Sequence, residues 1–77
     1  MTFKFNETVV PESVLVQLYS LFHYSNDSTE NKKKSSAALL MDNIPSITEA
    51  QCYKWLEENS EKIFNLTVEE GVILKSV

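Results

Sequence analysis

Arginine is absent from this chain, and of the other residues that carry site chemistry there is one cysteine, one histidine and one glycine. Without arginine the chain lacks the planar fork that reads guanine edges and clamps phosphates, which counts against a dedicated nucleic-acid binder. The single Cys52 excludes an intrachain disulfide framework, on which small secreted domains usually depend, so a cytoplasmic home is expected. The lone Gly71 excludes a glycine-rich phosphate cradle. One Cys and one His do not make the four-ligand set of a zinc site, and no Asp-x-Asp-x-Asp-Gly calcium loop occurs. Neither a metal nor a cofactor is expected. No apolar run approaches the roughly 20 residues of a membrane span. Lys4, Asn6, Glu7, Glu12 and Gln17 break up the first 24 residues, so no signal peptide and no membrane contact are read there. The Asn-x-Ser/Thr triplets at Asn6, Asn26 and Asn65 carry no weight without a secretory route.

What is present is a globular composition: 77 residues, 43% hydrophobic and 23% charged. That length holds one domain, residues 1–77, with a modest core. Eleven acidic residues against seven lysines give a net charge of -4. The excess is not evenly spread. Residues 1–41 balance Glu7, Glu12, Asp27 and Glu30 against Lys4, Lys32, Lys33 and Lys34, so the whole excess lies in residues 42–77. An electrostatic partner of that second half is expected to be a basic protein surface rather than DNA.

Partial alternation over Thr2 to Val10, with Phe3, Phe5 and Val9 against Lys4, Asn6 and Thr8, predicts a short strand with one buried face. Pro11 and Glu12 open a first helix reaching about His23, with Pro11 at the first helical position. Val14, Leu15, Leu18, Leu21 and Phe22 keep the spacing of a core stripe, whereas Val16, Tyr19 and His23 project beside or opposite it. Residues 25–36 are polar throughout, either a mobile loop or the solvated start of a second helix, with Asp27 and Glu30 offering a capping box near Ser28. The second helix runs through Ala37 to Met41 and stops at Asn43-Ile44-Pro45. Two overlapping capping boxes, Ser46 with Glu49 and Thr48 with Gln51, open a third helix to about Phe64. Cys52, Tyr53, Leu56, Ile63 and Phe64 form its inner stripe, and Trp55 falls at the boundary of that stripe with solvent. Thr67 to Glu70 repeats the capping pattern, Gly71 breaks it, and Val72-Ile73-Leu74 reads as a closing strand that could pair with the first. The expected fold is helix-dominated α+β with about three helices and short terminal strands. The alternative is an all-α bundle of three or four helices.

Chemistry is sparse. The one nucleophile–base pair is Cys52 with His23, on different elements, and Cys52 on an inner stripe reads as a small hydrophobe. Carboxylates such as Glu57 and Glu61 share a helical face but read as a solvated surface. No catalytic residue is assigned, and the chain is not expected to be an enzyme. Ala37 to Leu56 has the outline of a helix-turn-helix, yet its second helix presents Glu49, Glu57, Glu58 and Glu61 where phosphates would repel them. A dimeric helix-turn-helix regulator is therefore the alternative reading. The main expectation is a small acidic regulator, inhibitor or adaptor that docks on another protein. Trp55 with Glu57, Glu58 and Glu61 would meet a basic partner, and Val16 with Tyr19 would meet a partner or a second copy of the chain. Asn, Lys and Ile in the absence of arginine fit AT-rich coding, a composition common among small phage and mobile-element products.

Overall fold

A computed structural model describes residues 3–75 as a helix-dominated α+β fold. The expected N-terminal strand is a small hairpin, β1 (Lys4–Phe5) paired antiparallel with β2 (Thr8–Val9), and Thr2 lies outside the described residues. Asn6 turns it at a φ of 55°, a left-handed conformation that Asn tolerates. Phe3 and Phe5 point inward and Lys4 outward, as the alternation requires, but after the turn at Asn6 it is Val10 that is buried and Val9 that is exposed; the Val10 N–H donates to Phe3 O at 2.9 Å to close the base.

Helix α1 spans Glu12–Tyr24. Pro11 is its N-cap rather than its first helical residue, with ψ at 145° and its carbonyl taking the Val14 and Leu15 N–H groups. Val14, Leu15 and Leu18 are buried, whereas Leu21 and Phe22 are only half-buried. Helix α2 spans Thr29–Asn43, so the last eight of the twelve residues in the polar 25–36 stretch are helical. Its cap is Ser28, whose Oγ accepts from the Asn31 N–H at 3.2 Å, in place of the Asp27–Glu30 box. Helix α3 spans Glu49–Phe64 and begins with the Thr48–Gln51 box: Thr48 Oγ1 accepts from the Gln51 N–H, and the Thr48 N–H donates to Gln51 Oε1. Of the two overlapping boxes this one forms because Ser46, at a φ of 62°, is still part of the turn after Pro45.

The terminal strands do not pair with each other. β3 (Thr67–Glu69) and β4 (Val72–Lys75) make a second antiparallel hairpin, with a bulge between Thr67 and Val68. The Thr67 to Glu70 pattern is thus strand and turn, not helix cap. Glu70 and Gly71 both take positive φ, 52° and 75°, which is what a two-residue turn matching the strand twist demands. Local closure across two residues costs far less chain entropy than joining ends some 60 residues apart, and it wins.

One core joins these parts. Leu18, Ala37, Leu40, Ile44, Cys52 and Ile63 are nearly or fully buried at its centre, where α1, α2 and α3 meet. The first hairpin closes one side through Phe3 and Phe5, and Val68 with its cross-strand partner Ile73 closes another. The second hairpin is tied to α1 by the Ile73 N–H, which donates to Glu12 Oε1 at 3.1 Å.

Candidate functional site

Ala37, Leu40 and Ile44 hold the C-terminal half of α2 against the core. Its first eight residues, Thr29 to Ser36, contain no large apolar side chain. The short 44–48 link brings α3 back alongside α2, so this bare half lies beside the last turns of α3. Nothing on α2 fills the space between them, and an open groove of about 950 Å³ results. Its floor is apolar: Phe22 from α1, with Tyr53, Leu56 and Phe64 from α3. One wall carries Glu30, Lys32, Lys33 and Lys34, and the other carries Glu57 and Glu61, with Ser36 and Ser60 between them. On α3 the lining positions 53, 56, 57, 60, 61 and 64 form one helical stripe.

Ser36 shows how α2 comes so close. It is fully buried, and its Oγ donates to the Lys32 carbonyl at 2.7 Å, so its polar atom is satisfied inside its own helix. At the end of the groove Phe64 is 47% exposed, which corrects its placement on the inner stripe of α3. It lies one residue past Ile63, opposite the half of α2 that has nothing to cover it. Its cover comes from α1 instead. The His23 ring stacks on Phe64 with centroids 4.0 Å apart, and the Tyr19 ring lies tilted against His23 at 4.2 Å. His23 Nε2 donates to the Phe64 carbonyl at 2.7 Å; a carbonyl only accepts, so this nitrogen carries the proton.

Trp55 is not at a boundary. It is 7% exposed, stacked on Phe5 at 5.6 Å and edge-on to Phe3 at 6.4 Å, and its Nε1–H donates to the Lys4 carbonyl at 2.7 Å. A ring so enclosed has no face left for a partner in the folded chain. Glu57 and Glu61 line the groove; Glu58, one step round the helix, is exposed outside it. Val16 and Tyr19 are half-buried, and Tyr19 packs against the core. Of the six sequence-derived residues, Glu57 and Glu61 line the groove, Glu58 lies beside it, Trp55 is enclosed, and Val16 and Tyr19 lie on α1. The basic wall and the aromatic floor went unread in sequence, although the run of eight residues without an apolar knob on α2 was the signal.

Cys52 and His23 are not brought together. Cys52 is in the first turn of α3 and His23 is bound to the last, twelve residues on, or about 18 Å along the axis. Burial pushes the Cys52 thiol above its usual 9.0, and the Glu49 carboxylate adds to the effect. Tyr53 is raised for the same first reason, with Glu49, Glu30 and Cys52 adding. Because the folded thiol holds its proton after the unfolded one has lost it, stability is full below the unfolded value and falls as pH rises through it. Above about pH 9 the unfolding free energy of the wild type should fall more steeply than that of Cys52→Ala, measured by urea titration. Parallel curves would contradict the burial of this thiol.

Among the described residues, no group of three His, Cys, Asp or Glu side chains could hold a metal ion, and no helix is long and apolar enough to cross a membrane. No protein family matches this chain, and no curated protein or solved structure matches it either.

Proposed function

We propose that this chain is a non-enzymatic regulator, inhibitor or adaptor that works by docking on another protein, and that the groove between α2 and α3 is the docking surface. The observation that supports this reading is the groove's anatomy: an apolar and aromatic floor bordered by charged side chains, the arrangement of a protein interface with a dry centre and a wet rim. Catalytic readings draw no comparable support, since the thiol is buried and His23 is engaged with a main-chain carbonyl. The acidic outer face expected to meet a basic partner enters this reading through Glu57 and Glu61, which border the floor. Trp55 drops out of it.

The test is site-specific photo-crosslinking in the cells that make the protein, with the reactive side chain placed at Tyr53, at Phe64, and at Val9 on the first hairpin. One protein adduct formed from positions 53 and 64, weak or missing from position 9, is the expected result. Adducts of equal strength from all three positions, or none from the groove, would overturn the proposal.

A further inference from the structure

The two walls of the groove differ in sign, and this limits what fits between them. The α2 wall carries Lys32, Lys33 and Lys34 with Glu30, a net of +2, and the α3 wall carries Glu57 and Glu61, a net of -2. An occupant of one sign would gain at one wall and lose at the other. A strand or a loop would bring unpaired backbone groups to an apolar floor. A helix has none along its sides, and it is the segment that can present an apolar stripe with a different charge along each edge. Three turns of helix are about 16 Å long. Tyr53 to Phe64 on α3 extends over about 17 Å, the same length.

We infer that the groove receives an amphipathic helix of about three turns from a partner protein, its apolar stripe on Phe22, Tyr53, Leu56 and Phe64, its acidic edge toward Lys32, Lys33 and Lys34, and its basic edge toward Glu57 and Glu61. The occupant completes the layer that α2 leaves unfilled, and its edge charges set the pairing more than its affinity. The inference rests on the docking surface proposed above and adds to it the chemistry of the partner.

Three synthetic 15-residue helical peptides test it, all with leucine at i, i+3, i+4 and i+7 spacing. One has glutamates on one edge and lysines on the other, one has glutamates on both, and one has lysines on both. Titrated by fluorescence anisotropy at low salt, the mixed peptide should bind the wild type about tenfold tighter than either of the others. Changing all three lysines to glutamate makes both walls acidic and should move the preference to the all-lysine peptide. Glu57→Lys with Glu61→Lys makes both walls basic and should move it to the all-glutamate peptide. The preference should fade in 1 M salt, where screening acts within about 3 Å. Ser60→Trp, which fills the groove from a half-exposed position, should weaken binding of every peptide. If Ser60→Trp weakens binding but the charge variants leave the order unchanged, the groove docks helices without regard to their edges and this inference is wrong. If the wild type prefers the all-lysine peptide, net charge alone governs and the inference is equally wrong. If no peptide binds, or Ser60→Trp changes nothing while circular dichroism shows it folded, the docking surface itself is wrong.

Discussion

Trp55→Ala should cost about 3–5 kcal/mol in unfolding free energy, the usual range for truncating a large buried aromatic. A domain of 77 residues has roughly 4–12 kcal/mol in all, so a large share of its stability goes with one side chain. Three contacts are lost together. The stack on Phe5 and the edge contact with Phe3 hold the first hairpin to α3, and the indole N–H occupies the Lys4 carbonyl. Two strands of two residues each have no independent stability, so releasing the ring releases the hairpin. Trp55→Phe keeps most of the apolar contact and gives up the hydrogen bond, and it should cost about 1 kcal/mol because Lys4 is exposed enough for water to take its carbonyl. Urea titration followed by circular dichroism gives both values, the variants having no indole to report. A cost below about 1 kcal/mol for the alanine variant would mean the ring is not enclosed as described.

Leu40→Ala should be comparably severe, about 3–5 kcal/mol, and its effect should be uneven along the chain. Leu40 is fully buried, and with Ser36, Ala37 and Ile44 it makes up the buried contact of α2 with the core, with Leu39 packed half-buried at its edge. Serine and alanine contribute little apolar area, so most of the hold on α2 rests on Leu40 and Ile44. Since the first seven residues of the helix, Thr29 to Ser35, have no buried anchor of their own, weakening that hold should loosen the basic wall of the groove before α1 or α3 is affected. Amide hydrogen exchange should show α2 protection falling furthest, while helix α3 keeps most of its own. Leu39→Ala, at a half-buried position beside it, should cost less than half as much. Equal losses of protection in all three helices would show that α2 has no separate opening. Groove binding should decline with α2 protection, because one wall of the groove is that helix.

The sequence by itself determined the local elements. Apolar spacing marked the buried residues of α1, the Thr48–Gln51 box marked the start of α3, and Pro45 marked the end of α2. Each of these is legible because it depends on neighbours within one or two turns. Composition likewise limited the chemistry, since residue types that are absent cannot assemble anywhere in the fold. Tertiary structure decided the rest. Whether the terminal strands pair with each other or within themselves depends on loop entropy and on the Glu70–Gly71 turn, a competition no single window displays. The burial of Trp55 depends on Phe3, Phe5 and the Lys4 carbonyl, some fifty residues away, which a helical wheel of α3 cannot contain. The groove is the clearest case. Polar residues at the start of α2 read as a solvated end because their period is featureless, and only the return of α3 alongside them turns missing side chains into a cavity with a lysine wall and a glutamate wall. A site formed by what one helix fails to fill is a property of the pair, and a one-dimensional pattern holds only half of it.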